Sequence, residues 1–311
     1  MKKILVTLAA FALAATVALA QDYNAAVELF NSGAQAFSDG NKAEAVDYYK
    51  QALDQFLACE EEEDAAEKAE QLKDLIPNIC ISIANDQIKE QDYDGALASL
   101  AQAKELATGY ENEDAVAKAD EKVAGVYLAK GNSLIRAKEY AAAAEALKAA
   151  TALDPENGKA VLLLGQALVQ GGQTDEAIEA LEKAAALGEE ATAGKLLATT
   201  YLRKGQAQLK AGQNADAVES LEKSNSYGES ANAYKLMASA YTKLGKSKEA
   251  IAAYKKYLEV NPGAADTVDI CFTIAATAQK SNDKATAVEY YKKLAGTKYA
   301  AQAEAQLKTL Q

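Results

Sequence analysis

The sequence predicts an all-α protein, an α-solenoid of about seven helix-turn-helix units followed by a C-terminal capping helix. Alanine, leucine, lysine and glutamate dominate a chain with only 3 prolines in 311 residues, a composition that favours helices. No stretch of β-branched residues alternates long enough to indicate a sheet. The decisive observation is that one pattern returns at intervals of 33 to 51 residues, which is the period of repeat proteins.

Residues 1–20 have the pattern of a secretory signal peptide. Lys2 and Lys3 precede an uncharged apolar run from Ile4 to Ala20, which ends in a small-x-small sequence. A membrane anchor is the alternative, but a run of 17 residues is at the lower limit for a helix that spans a bilayer. We therefore expect cleavage near Ala20 and a mature protein that is periplasmic or secreted, in a Gram-negative bacterium.

The repeat is defined by an alanine that follows each turn, at Ala45, Ala96, Ala143, Ala177, Ala217, Ala250 and Ala287. Apolar residues lie one, four and seven positions later, so they share one face of a second helix. Twelve positions earlier, in a first helix, the side chain is absent or small: Gly33, Ala84, Gly131, Gly165, Gly205, Ala238 and Ala275. We expect this small residue to face the alanine of the second helix, because the two backbones then approach closely. Enlarging such an alanine to leucine is expected to cost about 1–3 kcal/mol.

This pattern resembles the tetratricopeptide repeat (TPR). That family has a small residue in its first helix, then alanine, a bulky residue and alanine in its second, and proline after it. Gly131, Ala143, Leu147, Ala150 and Pro155 match this most fully. The resemblance is strongest in the third, fourth and sixth units, and it implies a right-handed superhelix. Tyrosines stand in place of the family's tryptophan: Tyr127, Tyr201 and Tyr234.

The resemblance implies the following organisation. The signal peptide at 1–20 precedes units at 21–60, 61–111, 112–157, 158–193, 194–230, 231–263 and 264–296, and a capping helix at 297–311. The second and third units are longer than a standard repeat, and each opens with an acidic helical prefix, at Glu63-Asp64 and Glu113-Asp114. Pro77 lies inside the apolar run of the second unit, so we expect the helix there to start afresh or to kink.

The residue inventory argues against catalysis and nucleic-acid binding. The formal net charge is −12, and lysine and arginine alternate with acids at helical spacing, so no basic patch is left for phosphates. The chain has no histidine, the commonest general base and metal ligand. We expect no enzymatic activity, no cofactor and no metal. The acidic run at residues 60–64 lacks the loop glycine of a calcium site and is interpreted as a solvated helix entry.

The three cysteines, Cys59, Cys80 and Cys271, are too few for a disulfide framework. Cys80 and Cys271 lie on apolar helix faces, so we expect them to be small buried hydrophobic residues. A bridge between Cys59 and Cys80 stays open, because sequence does not give the separation of their Cα atoms.

One column of residues is a candidate peptide-binding surface. Directly after the small column, four consecutive units carry a carboxamide: Asn85, Asn132, Gln166 and Gln206. In proteins that the chain resembles, this face lines a concave groove. A carboxamide both donates and accepts hydrogen bonds, so a row of them can bind the backbone of an extended peptide whatever its side chains. The alternative is that these residues fill an ordinary half-exposed position and satisfy each other.

Some TPR proteins also grip the terminal carboxylate of a peptide with lysine and asparagine in one repeat, and with lysine and arginine two repeats later. Here Ile81, Lys159 and Leu163 occupy three of these positions, so that clamp is incomplete. The sequence therefore predicts a non-catalytic periplasmic scaffold that binds a peptide segment or an envelope protein. The alternative is a structural or self-associating solenoid, in which the apolar stripe of the tail docks on a neighbouring copy.

Overall fold

The computed structural model describes residues 23–59 and 63–310, which belong to two compact units, one ending at Val126 and one beginning at Tyr127. The predicted signal peptide lies outside the described residues. Within the described ranges every regular element is a helix, and none of these helices is both long and apolar enough to cross a membrane.

The first unit contains two helix hairpins and the beginning of a third. Its helices are α1 (Tyr23–Ser38), α2 (Lys42–Ala58), α3 (Glu63–Lys89), α4 (Tyr93–Gly109) and the first part of α5 (Glu113–Arg136). The two acidic prefixes are helical, as predicted, since α3 begins at Glu63 and α5 at Glu113. They are also part of the core: Ala65, Ala69 and Leu72 of α3 are buried, so the extra residues lengthen the packed helices.

The second unit continues the same hairpin pattern to the C-terminus. After the end of α5 come α6 (Tyr140–Leu153), α7 (Gly158–Gln170), α8 (Thr174–Ala184), a π-helical turn (Ala185–Glu189), α9 (Glu190–Lys210), α10 (Asn214–Tyr227), α11 (Ala231–Lys243), α12 (Ser247–Val260), α13 (Thr267–Lys280), α14 (Lys284–Lys292) and α15 (Ala300–Thr309). The described residues thus form seven hairpins and a final helix, which confirms the predicted all-α solenoid.

The seam inside each hairpin differs in one respect from the prediction. The glycine of the first helix packs mainly on the bulky residue four positions after the alanine, and less on the alanine itself. A Cβ added to Gly165 would lie 2.7 Å from Leu181, and a Cβ at Gly131 would lie 2.4 Å from Leu147. At Gly33 the partner is the Tyr49 ring, at 2.8 Å. The glycine is therefore a hole that receives a large side chain, and this contact sets the approach of the helices.

The turn inside each hairpin uses one backbone motif. In every hairpin of the described chain, a residue five positions before the column alanine has a positive φ: Gly40, Gln91, Lys138, Gly172, Gly212, Gly245 and Asn282. The next residue donates its N–H to the carbonyl five positions back, as Gln173 does to Leu168 at 3.0 Å. These are Schellman motifs, which satisfy the free carbonyls at a helix end and start the second helix at a constant distance from the first.

Helix α3 runs through Pro77 without a break, so of the two predicted outcomes, a fresh start or a kink, the fresh start is wrong. Proline has no N–H, which leaves the carbonyl of Lys73 without its helical donor. The Asn112 side-chain amide donates to that carbonyl at 3.4 Å and to the Asp74 carboxylate at 3.2 Å. The Asn112 side-chain oxygen also accepts from the Ala115 N–H at 3.0 Å, which caps α5. A residue from the next turn thus compensates for the proline.

The tail forms a capping helix on the last hairpin, as predicted. Ala303 of α15 is 2 % exposed, and Leu307 and Leu310 pack against the same cluster of buried residues as α13 and α14. The ring of Tyr299 stacks on Phe272 of α13, with ring centroids 4.4 Å apart. The tail therefore covers its own last hairpin.

All three cysteines are buried free thiols. The bridge between Cys59 and Cys80 that the sequence left open is not formed. Burial raises the pKa of the Cys80 thiol to about 11, because the thiolate would lose its hydration.

Candidate functional site

Each predicted site residue directly follows the small residue that packs in its hairpin seam. Asn85 lies on α3 of the first unit, and Asn132, Gln166 and Gln206 lie on α5, α7 and α9 of the second. Gly131, Gly165 and Gly205 are buried against the second helices. Consecutive helical residues are turned by about 100° from each other, so each carboxamide leaves the seam at a similar angle. All four side chains are half-buried.

None of these four carboxamides forms a hydrogen bond with another residue in the described part of the chain. The nearby glutamines behave differently, since Gln87 of α3 accepts a hydrogen bond from the Ser99 hydroxyl at 2.7 Å. The alternative in which the column residues satisfy each other is therefore not what the structure contains. Half-buried amides that have no protein partner keep both their donors and their acceptor available for water or a ligand.

The column ends in a pocket of about 470 Å³ at the last hairpin. Ala276, the column residue of this hairpin, lines it together with Phe272, Gln279, Lys280, Tyr291, Gln302 and Gln306. Two hydrogen bonds order its wall: the Gln279 amide donates to the Gln306 side-chain oxygen at 2.8 Å, and the Tyr291 hydroxyl donates to the Gln279 oxygen at 2.7 Å. The pocket thus combines an aromatic floor with amide groups that are held in place.

Sequence reasoning missed this pocket. Gln302 and Gln306 are four residues apart, which places them on the same face of α15. This spacing predicts two amides on one face of the tail helix, whereas the prediction for the tail rests only on its apolar stripe. Gln279 follows the column position of α13 by three residues, and no pattern in the sequence connects it with Gln306.

The charges beside this pocket are largely neutralised. Asp269 is paired with Lys298 and accepts a hydrogen bond from the Tyr299 hydroxyl at 2.8 Å, and these donors hold the pKa of its carboxyl below the usual range. Lys280 is exposed and forms no ion pair with any residue that the structure describes. Lys280 is therefore an unpaired cation on the pocket wall.

The two units differ strongly in charge. Residues 23–126 contain 23 acidic and 8 basic residues, a formal charge of −15. Residues 127–311 contain 21 acidic and 23 basic residues, a formal charge of +2. The carboxamides of the second unit thus lie in a nearly neutral region, where recognition depends on hydrogen bonding rather than on long-range attraction.

Comparison with known families identifies the repeats. Residues 128–192 and residues 231–263 match sequence models of the tetratricopeptide repeat. The chain contains tetratricopeptide repeats over these two ranges. The matched residues fall on the third, fourth and sixth units, which are the units where the sequence pattern was strongest. A comparison with curated protein sequences found no match to this chain.

Three solved structures that are similar to this chain illustrate the degree of likeness in sequence identity, coverage and TM-score. MamA from Desulfovibrio magneticus RS-1 is 22% identical and covers 55% of this chain and 92% of its own, with a TM-score of 0.34. YrrB, described as a TPR protein with an unusual peptide-binding site, is 20% identical and covers 59% and 91%, with a TM-score of 0.35. The TPR domain of P58(IPK) is 15% identical and covers 92% and 97%, with a TM-score of 0.29.

Proposed function

We propose that this protein is a non-catalytic scaffold that binds an extended segment of a partner protein along the first helices of its second unit. Asn132, Gln166 and Gln206 hold the peptide backbone, and the pocket at the last hairpin receives one of its side chains. Asn85 occupies the equivalent position in the first unit. The observation that carries the proposal is that these half-buried carboxamides have no hydrogen-bond partner within the described chain.

The chemistry of the column favours a peptide ligand over a small molecule. An extended peptide presents N–H and C=O groups at regular spacing, and a carboxamide can bind either of them. The last pocket has an aromatic floor formed by Phe272 and Tyr291 with amides around it, which suits a side chain that has an apolar body and a polar end. The unpaired Lys280 favours an acidic or amide group at that end.

The location of the scaffold follows from residues 1–20, which have the pattern of a cleaved signal peptide. We propose that the mature protein works in the periplasm of a Gram-negative bacterium and that its partner is a protein of the cell envelope. Expression of the full chain, followed by cell fractionation and N-terminal sequencing of the product, tests this. A product that starts at Gln21 in the periplasmic fraction supports the proposal, and an uncleaved cytoplasmic product contradicts it.

Peptide binding is tested with a triple variant, Asn132→Ala/Gln166→Ala/Gln206→Ala, and an immobilised library of random extended peptides. We expect peptides that bind the native protein to bind the variant at least about tenfold more weakly, because each lost hydrogen bond contributes about 0.5–1.5 kcal/mol. A photo-crosslinking residue at position 166 is expected to label the bound peptide, and one at position 213, in the turn before α10, is not.

The matched control is Gln102→Ala/Gln213→Ala, which removes two exposed carboxamides outside the column, one on α4 and one in the turn before α10. It is expected to leave peptide binding unchanged. If the control variant and the triple variant bind equally well, the column residues serve packing only, and the proposed function is wrong.

A further inference from the structure

The first unit has a second groove, which lies outside the carboxamide column. It has a volume of about 720 Å³ and lies where α4 ends and α5 begins. Ala107, Thr108, Val116 and Ala117 form its floor, and Glu111, Glu113 and Asp120 stand at its rim. Val116 is half-buried, and Ala117 is exposed.

The rim carboxylates are held on ordered backbone. Glu111 has a φ of 58°, and the Asn112 N–H donates to the Ala107 carbonyl at 2.8 Å, so the turn after α4 is a Schellman motif. Asp120 is paired with Lys104 at 2.7 Å. Glu111 and Glu113 are exposed and have no ion pair within the residues that the structure describes. Two of the three rim charges are therefore uncompensated.

The surroundings of the groove increase its attraction for cations. The whole first unit has a formal charge of −15, and the field of such a surface concentrates positive ligands and speeds their association. Among the described residues, no three acidic or cysteine side chains come together in a geometry that could hold a metal ion. The apolar floor requires a ligand with apolar surface as well as positive charge.

We propose that this groove docks a positively charged segment of a partner protein, in which lysine or arginine residues flank an apolar side chain. The apolar side chain lies on Val116 and Ala117. The methylene stems of the flanking lysines or arginines cover the rest of the floor, and their charged ends reach Glu111 and Glu113. The proposal is independent of peptide binding along the carboxamide column, because it concerns other residues in the other unit.

The test uses the full-length protein and three short labelled peptides, followed by fluorescence anisotropy. The first peptide has a leucine between lysines, the second has glutamates in place of the lysines, and the third has serine in place of the leucine. We expect the first peptide to bind and the second not to bind. Raising the salt to about 1 M, where the Debye length is about 3 Å, is expected to weaken binding strongly. The serine peptide is expected to bind several-fold more weakly.

Two variants locate the binding. Glu111→Gln/Glu113→Gln removes the free charges, and we expect about tenfold weaker binding of the first peptide, since two exposed ion pairs are lost. Ala117→Tyr fills the floor without changing the charge, and we expect a similar loss. Circular dichroism shows whether each variant keeps its helix content. Because one variant changes charge and the other changes volume, a loss of binding in both, with native helix content, is not explained by unfolding.

The matched control is Glu28→Gln/Glu44→Gln, which removes two exposed carboxylates, on α1 and α2, that line no part of the groove. Binding of the lysine-leucine peptide to this control is expected to stay within about twofold of native, because these carboxylates do not contact the peptide and salt screens their contribution. The proposal is overturned if the control loses as much affinity as the groove variant, because the attraction is then only that of net charge. It is also overturned if Ala117→Tyr binds as the native protein does. A native protein that self-associates and releases its copies on addition of the peptide would identify the partner segment as one from a second copy.

Discussion

In the two units of this protein, the seams that contain a glycine are filled by different side chains. In the second unit three seams use one solution, in which a leucine fills the space at a glycine: Leu147 at Gly131, Leu181 at Gly165 and Leu221 at Gly205. In the first unit, Tyr49 fills the space at Gly33 and makes an edge contact with Phe30, with ring centroids 5.6 Å apart. The comparison teaches that the space at a glycine accepts either a leucine or a tyrosine, according to the side chains around it.

The units also differ in helix length. The first unit contains a 27-residue helix, α3, in which Pro77 removes one backbone hydrogen bond and the Asn112 side chain supplies the missing donor. The hairpin of α7 and α8 in the second unit needs only 13 and 11 residues. Long helices bury more surface per hairpin, but a defect within them requires a partner from outside the helix. The short hairpins depend almost entirely on the seam.

The largest expected effect concerns that seam. Leu181→Ala is expected to destabilise the protein by about 2–5 kcal/mol, because it leaves a cavity against Gly165. Urea unfolding followed by circular dichroism measures this. Leu153→Ala, at a leucine that is 55 % exposed, is the control and is expected to change stability by less than about 0.5 kcal/mol.

A second substitution sharpens this prediction. Gly165→Ala in the native background places a methyl group 2.7 Å from Leu181 and is expected to destabilise. In the Leu181→Ala background the same change is expected to stabilise by up to about 1 kcal/mol, through helix propensity and partial filling of the cavity. An equal effect of Gly165→Ala in both backgrounds would mean that the two residues do not pack on each other.

An intermediate effect is expected at Asn112, which donates to the carbonyl that Pro77 leaves unpaired in α3. Asn112→Ala removes the cap of α5 and the donor to the Lys73 carbonyl, and is expected to cost about 1–2 kcal/mol. Pro77→Ala gives α3 a backbone donor for that carbonyl, so Asn112→Ala is expected to cost less in the Pro77→Ala background. A double-mutant cycle measures the difference. Additive costs would show that the Asn112 side chain does not compensate for the proline.

The smallest expected effect is a pH dependence that belongs to the first unit. Lys42 and Lys89 donate to the Asp86 carboxylate and lower its pKa from 3.8 to about 2. Because folding lowers this pKa, the contribution of Asp86 is complete above the unfolded-state pKa and is lost as the pH falls towards 2. Asp86→Asn is expected to lower the thermal unfolding midpoint at pH 5 and to approach the native midpoint at about pH 2.

The control for this experiment is Asp47→Asn, at an exposed carboxylate with no ion pair in the described part of the chain. The difference between this control and the native protein is expected to vary less with pH. If the difference between native and Asp86→Asn stays constant from pH 5 to about pH 2, the ion pairs of Asp86 do not contribute to stability.

Much of the fold was predictable because it depends on spacing within one repeat. The column alanines predicted the second helices, and the positions five residues before them proved to be the turns. The same counting predicted that the acidic prefixes are helical and that residues after Gly296 cap the last hairpin. The column positions of Asn132, Gln166 and Gln206 were read from the same alignment, but their lack of hydrogen-bond partners required coordinates.

Other features depend on residues that are distant in the sequence. The donor that replaces the missing N–H of Pro77 is a side chain from the turn after α4, Asn112, so the sequence alone did not show that α3 continues past the proline. The amide pocket joins Gln279 with Gln306 across 27 positions. The column alanine was predicted to face the small residue of the first helix, but the bulky residue one helical turn later packs there instead. Packing between the two helices decides which side chain fills the space at the glycine.

By itself, the amino-acid sequence determined the helical class, the number of hairpins and the place of each turn, because helix periodicity, small residues and turn residues act over a few positions of the chain. Only the tertiary structure decided which side chain fills each glycine hole, how α3 continues past a proline, and where grooves open at the surface. These outcomes depend on contacts between helices, whose geometry follows from the packing of whole side-chain volumes rather than from local preference.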